Sequence, residues 1–369
     1  MRFLSILFIV ALWQTFAQPS SASEPITVVS SDSIKSPRQP QLAVVEGKTV
    51  FLAFGAGESV YICKSSDGGK KFAMPTEIGS LQNLALGMRR GPRVVANTKS
   101  VVVTAIGHTS GNLTAWQSDD DGMTWSNRVV VNDIPEVARE GLHGMAMGPK
   151  GDVFCAWLDL RHGKTQIYGS TSPDGGRTWG QNRQVYESPS GTVCECCHPS
   201  VVIDDTGVVH VMWRNVVEGN RDMYIARSSD GGESFRSARK LGVGTWNLNA
   251  CPMDGGDLGI SSRGDVMTVW RRKNQIFASI EKPLHERLLG HGQQPDIAVG
   301  ADGEFIVWLS RRGGDLKLLK PGSTSPTTLA ENATDPVIAA ARSSPQNVIA
   351  AWETGSTPNT TIHAIIVAE

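Results

Sequence analysis

Three of the six cysteines in this 369-residue chain fall within four positions, in Cys194-Glu195-Cys196-Cys197-His198. A second sulfur-bearing segment, Cys251-Pro252-Met253-Asp254, follows it, and His143 with Met145 and Met147 precedes it. Thiolate, thioether and imidazole donors in combination suit soft or borderline metals, copper in particular. The same cysteines permit disulfides, for example from Cys194 or Cys197 to Cys251, wherever the compartment is oxidising. Residues Cys194 to His198 also spell C-x-x-C-H, the attachment signature of c-type haem, with His198 as axial ligand. The residues alone leave disulfide, metal and haem open. Cys63 and Cys155 sit in apolar runs and read as small buried side chains.

Arginine is the other residue type with chemistry to offer. Arg38, Arg214, Arg271 and Arg311 lie next to short apolar runs, at the ends where loops begin. Guanidinium groups gathered on one rim would bind a carboxylate, phosphate or sulfate through paired hydrogen bonds. The alternative is loop charge neutralised by neighbouring Asp and Glu. No catalytic residue is assigned, and the chain contains no Gly-rich phosphate loop, His-Glu-x-x-His helix or nucleophile elbow. The 35 basic against 36 acidic side chains argue against a nucleic-acid partner.

These residues need elements to hold them, and the chain repeats. Residues 65–72, 118–125, 172–179 and 228–235 each read Ser-x-Asp-x-Gly-x-x-aromatic, with Asp67, Asp120, Asp174 and Asp230 separated by 53, 54 and 56 residues. Such an Asp can accept turn amides, the Gly can take a positive φ, and the Phe or Trp can cover apolar surface, so the four aspartates are expected to be structural. A second repeat, an apolar strand, a turn and a strand ending in an aromatic residue, recurs from Pro40 to Phe54, Pro92 to Ala105, His143 to Trp157, Pro199 to Trp213, Gly256 to Trp270, Pro295 to Trp308 and Pro336 to Trp352. This gives seven units over residues 24–369, the spacing of four-stranded blades.

The Ser-x-Asp-x-Gly-x-x-aromatic segments resemble the Asp box, or BNR repeat, of the sialidase-like β-propellers. The resemblance implies an all-β propeller of four-stranded blades. The unit count favours seven blades, with six as the alternative. It also implies that the boxes lie on third-to-fourth-strand turns, on the face away from the active site. The opposite rim, formed by first-strand entries and second-strand exits, then carries the cysteines and arginines above. Arg38-Gln39-Pro40 is similar to the family's Arg-Ile-Pro motif and matches its first arginine. In that family three arginines hold a substrate carboxylate, a Tyr assisted by a Glu is the nucleophile and an Asp is the acid/base. Here the loop before the first box reads Gly55-Ala56-Gly57-Glu58-Ser59, without the Arg and Asp, and Tyr61, Tyr168, Tyr186 and Tyr224 all sit beside boxes. Arg214, Arg271 and Arg311 match no motif position. The expected function is thus an exo-acting glycosidase or a binder of anionic, sialic-acid-like glycans. The alternative is a non-catalytic propeller holding copper or c-type haem at Cys194–His198 and Cys251–Met253.

Residues 1–23 have a basic start, an apolar stretch from Phe3 to Phe16 and small residues Ser21-Ala22-Ser23, the pattern of a signal peptide. Export to the periplasm or exterior is expected, with one propeller domain over 24–369. No later segment has the length of a membrane span. Ile26 to Ser30 is expected to join the strand Thr360 to Val367 and close the ring.

Overall fold

The computed structural model describes residues 24–281, 286–341 and 347–369; the expected signal peptide lies outside them. All regular structure among the described residues is β, and no helix there is long and apolar enough to cross a membrane. Strand β1 spans Ile26–Ser30. Blade 1 is β2 (Arg38–Val45), β3 (Thr49–Ala56), β4 (Ser59–Ser65) and β5 (Thr76–Ser80). Blade 2 is β6 (Arg93–Ala96), β7 (Val101–Gly107), β8 (Asn112–Ser118) and β9 (Val129–Val130). Blade 3 is β10 (His143–Met147), β11 (Val153–Asp159), β12 (Gln166–Ser172) and β13 (Arg183–Tyr186). Blade 4 is β14 (Ser200–Ile203), β15 (Val209–Arg214), β16 (Met223–Ser228) and β17 (Arg239–Lys240). Blade 5 is β18 (Gly256–Ile260), β19 (Val266–Arg272), β20 (Gln275–Ile280) and β21 (Arg287–His291).

The remaining strands are β22 (Gln293–Gly300), β23 (Gly303–Leu309), β24 (Gly314–Leu319), β25 (Thr327–Ala340), β26 (Val348–Ser356) and β27 (Asn359–Ala368). They form one continuous sheet with β1, but β25 serves two blades. Residues 327–333 pair with β24 as the outer strand of blade 6, and residues 334–340 pair with β26 as the inner strand of blade 7. Blade 7 is completed by β27 and β1, whose register runs from Ile26 opposite Ala364 to Ser30 opposite Thr361. The ring therefore has seven blades, closed by a strand from each end of the chain.

Seven apolar clusters explain why these sequences form blades. Each lies between two neighbouring blades, from the blade 1 and 2 pair, with Phe51 and Trp116, around to the blade 7 and 1 pair, with Ile349 and Phe54. The second strands are buried on both faces, so β7, β11 and β15 read as largely apolar runs, with few polar residues, instead of alternating. Trp157, Trp213, Trp270, Trp308 and Trp352 sit near the ends of these strands and are buried.

The four boxes share one geometry. In the third, Ser172 Oγ donates to Asp174 Oδ1 at 2.9 Å and accepts from the Gly176 amide at 2.7 Å, while Asp174 Oδ1 accepts the Thr178 amide at 2.9 Å. The equivalent bonds recur around Asp67, Asp120 and Asp230. Turn hydrogen bonds hold these carboxyls below the ordinary aspartate range. The box aromatics do more than cover their own hairpins. Phe72, Trp125, Trp179 and Phe235 each pack on the cluster shared with the preceding blade.

Candidate functional site

The rim opposite the boxes is built by the entries to the inner strands. Gln39, Gln294 and Asp335 have φ of 58°, 53° and 47°, and each precedes a proline, Pro40, Pro295 or Pro336. Each entry is also a bulge in the pairing with the second strand. Left-handed backbone at non-glycine residues costs energy and persists where other bonds enforce it. Here the enforcing bonds run between blades. The Gln294 amide donates to Asp254 Oδ2 at 2.8 Å, and the Asp335 amide donates to Gln294 Oε1 at 3.3 Å. The Gln39 amide donates to Glu353 Oε1, which carries the belt from blade 7 to blade 1. A second tier lies deeper, where Asp257 Oδ2 accepts the Ile297 amide and Asp296 Oδ2 accepts the Ile338 amide.

Arg89 closes the axis. From the entry to blade 2 its guanidinium crosses to blades 6 and 7, donating to Pro336 O at 2.6 Å, Pro295 O at 3.3 Å and Asp296 Oδ1 at 3.1 Å. Arg93 donates back to the Arg89 carbonyl at 2.6 Å. Below this plug a cavity of about 90 Å³ touches Arg89, Met145, His198, Asp257 and Asp296. A larger one, about 500 Å³, follows the inner strands toward the box face and is lined mainly by apolar side chains such as Val44, Val202, Ile260 and Val299.

Burial sets the protonation here. It raises Asp254, Asp257 and Asp296, with mutual repulsion adding for Asp257 and Arg89 opposing for Asp296. Burial, then the charge of Asp335, pushes Glu353 up to about 8. It lowers His143 and His198 well below the ordinary imidazole value, with Arg93 and Arg89 assisting, so both rings are neutral at physiological pH.

Of the four arginines read from the sequence, Arg214 and Arg271 meet at Trp246, while Arg38 and Arg311 stand on other blades. Arg214 is buried and donates to Asp254 O, Arg221 O and Arg271 O, clamping blade 4 to blade 5. Arg271 bonds Gln293 Oε1 and shares the Trp246 ring with Arg214, at 5.5 and 5.3 Å. Arg311 is exposed on the hairpin between β23 and β24. Arg38 stands on blade 1, one-quarter exposed, with Nε 3.8 Å from Glu353 Oε2 and no hydrogen-bond partner on that nitrogen among the described residues. The tyrosines lie on outer strands. Tyr61 stacks on Phe54, Tyr168 lies under Arg161, and Tyr186 and Tyr224 pack around Trp213.

The sulfur residues gather more closely. Cys194 Sγ lies 3.4 Å from Cys197 Sγ and 3.7 Å from Cys196 Sγ, and the three sulfurs are within 4.8 Å of one another. All three are buried, Met253 packs on them, and the exposed Cys251 thiol engages Cys196. The six cysteines are free thiols in this structure, with none of the expected cross-links to Cys251. Arg221 Nη1 reaches Cys194 Sγ at 3.0 Å. Thiol hydrogen bonds from Cys196 and Cys197, aided by Arg214 and Arg221, lower the Cys194 pKa, while burial raises Cys197. His198 and His143 stand outside this group. His198 turns to the axial cavity, against Gly255, where a Cβ would meet its ring at 2.6 Å, and His143 Nε2 bonds Thr104 Oγ1 at 2.9 Å. Haem does not fit, because the thiols face one another and the cavity at His198 is far too small for a porphyrin.

Residues 102–252, spanning three of the four boxes and all of the clustered cysteines, match the BNR repeat-like domain. The fold is a β-propeller, and residues 102–252 of it match the BNR repeat. No curated protein sequence matches it. Among solved structures, the propeller is similar to a protein of unknown function from Dyadobacter fermentans (16% identity, TM-score 0.56, covering 94% of this chain and 98% of that one). It is also similar to an α-L-arabinanase from Penicillium chrysogenum solved with arabinobiose (14%, 0.55, 95% and 99%). A third likeness is to a leech intramolecular trans-sialidase solved with 2,7-anhydro-Neu5Ac (12%, 0.54, 94% and 70%). At these identities the likeness is one of fold.

The residue types and spacing in the sequence did not single out Arg89, Asp254, Asp335, Glu353, Asp257, Asp296 or Trp246. The available signal was the residue-Pro step repeated at Gln39, Gln294 and Asp335, which marks the strand entries and, of these residues, only Asp335 and the Asp296 that follows Pro295.

Proposed function

We propose that this propeller is exported as one domain over residues 24–369 and binds an anionic glycan on the rim opposite the Asp boxes. The observation that carries this reading is the Arg38 and Glu353 pair. Arg38 is partly open to solvent, and the carboxyl beneath it holds its proton up to about pH 8, leaving the guanidinium charge without a neutralising partner. Such a guanidinium suits a carboxylate or sulfate on a sugar. The shared fold with an arabinanase and a trans-sialidase supports a carbohydrate ligand. Retaining sialidase chemistry is not part of the proposal, because the tyrosines pack within blades and Arg214 is committed to three carbonyls.

A second reading rests on the same acid. A carboxyl that stays protonated at neutral pH is able to act as a general acid toward a glycosidic oxygen. Binding to sialylated, uronate-bearing, sulfated and neutral glycans, alongside hydrolysis of a fluorogenic sialoside and a uronide, tests both. Binding confined to anionic glycans and weakened at least tenfold in Arg38→Ala, with an unchanged melting temperature, is expected. Equal binding of neutral and anionic glycans, or full binding by Arg38→Ala, would refute the rim site. Turnover that disappears in Glu353→Gln while binding persists would establish the second reading.

A further inference from the structure

Three buried sulfurs within 4.8 Å of one another make an arrangement with a preferred occupant. A metal with about 2.3 Å bonds to sulfur spaces its thiolates about 3.8–4.0 Å apart in tetrahedral or trigonal geometry. The observed 3.4 and 3.7 Å separations from Cys194 need only a slight expansion to meet that. We propose that Cys194, Cys196 and Cys197, closed from the solvent side by Cys251, form a thiolate site for one thiophilic closed-shell cation, Cu(I) or Zn(II).

The donor set selects the class of ion. The group contains sulfur alone, His143 and His198 are turned elsewhere, and Glu195 is exposed, so hard cations such as Mg²⁺ or Ca²⁺ find no oxygen cage. The surroundings are rigid. The Cys194 amide donates to Arg214 O at 3.0 Å, and Arg221 is tied by its amide to Trp246 O and by Nε to Leu248 O. Arg221 thereby presents Nη1 to Cys194 Sγ, an outer-shell hydrogen bond that offsets the negative charge of several thiolates on one ion. Met253 packs on the same sulfurs and offers a thioether, a ligand suited to Cu(I). Cys251 is the exposed member and provides the route by which an ion enters.

The site lies in blade 4 and the loop leading to blade 5, three blades from Arg38, so it stands or falls apart from glycan binding. The test uses the full mature chain, purified anaerobically under reduction and offered Cu(I) or Zn(II) against a competing chelator. Native mass spectrometry gives the stoichiometry, and thiolate-to-metal absorbance reports the donors. One retained equivalent is expected, weakened at least tenfold in Cys251→Ser and lost in Cys197→Ser. Retention of Cu(I) in competition with Zn(II) identifies copper, and the reverse identifies zinc. Should Cys197→Ser fail to fold, the exposed Cys251→Ser variant carries the test alone. The proposal fails if the fully reduced protein retains neither ion. It also fails if Cys251→Ser retains one equivalent as tightly as the unaltered chain.

Discussion

At the scale of single residues, Glu353 decides how the rim responds to pH. An ordinary glutamate titrates near 4.5, whereas this one is raised to about 8 by burial and by Asp335. Between those values the folded chain holds a proton that the unfolded chain has released, so stability falls as pH rises through this window and levels off above about 8. The slope from this one group is at most about 1.4 kcal/mol per pH unit. Glu353→Gln keeps an oxygen for the Gln39 amide and removes the titration. Its melting temperature should therefore drop less than that of the unaltered chain between pH 5 and pH 8. The same ionisation gives Arg38 a partner, so affinity for an anionic glycan should fall as pH passes about 8 in the unaltered chain. An affinity that rose or held level there would separate Arg38 from the anion site. None of this was legible in the sequence, where Glu353 is one acid after Trp352; its shift comes from burial among residues that are distant in the chain.

At the scale of elements, the box is a local device whose consequence is felt one blade away. Asp174→Ala removes acceptors from the Thr178 amide and the Ser172 hydroxyl on a solvent-facing turn, and should cost about 1 kcal/mol. Gly176 is placed differently. Its φ is +94°, and a Cβ there would meet the Val102 methyls of blade 2 at 2.8 Å. Gly176→Ala should cost about 2–3 kcal/mol, since it adds backbone strain to crowding at a blade interface. Denaturant midpoints of the two variants check the order; an Asp174→Ala loss larger than the Gly176→Ala loss would place the box's main role in its turn. The boxes were legible because their bonds join residues at most four apart. The cysteine cluster was half legible: C-x-C-C set two sulfurs against Cys194, but whether His198 faced the thiols or the axis depended on Gly255 and Arg89, which no local spacing encodes.

At the scale of the whole molecule, the chain ends supply the last blade, and that fixes where cooperativity resides. The count of seven was readable from the repeated apolar strands, because every second strand must be buried on both faces and so recurs as an apolar run. The belt of inter-blade bonds was not, since it pairs Asp254 with Gln294, Gln294 with Asp335 and Glu353 with Gln39 across the ring's joints. Among the described residues, β1 and the loop after it hold β27 on its outer side. Ser31 Oγ donates to Thr360 O, Thr360 Oγ1 donates to Pro37 O, and Val29 is buried in the blade 7 and 1 cluster. Removing residues 24–31 exposes the edge of β27 and strips one side of that cluster, leaving a pairing edge of the kind that drives aggregation. The shortened chain should melt well below either box variant and form aggregates that light scattering detects before unfolding. Adding the missing segment back as a free peptide should recover part of the melting temperature, because the pairing partner is then restored without the chain connection. A shortened chain that melted like the intact one, and stayed monomeric, would mean that the inter-blade belt and the seven apolar clusters close the ring without its final strand.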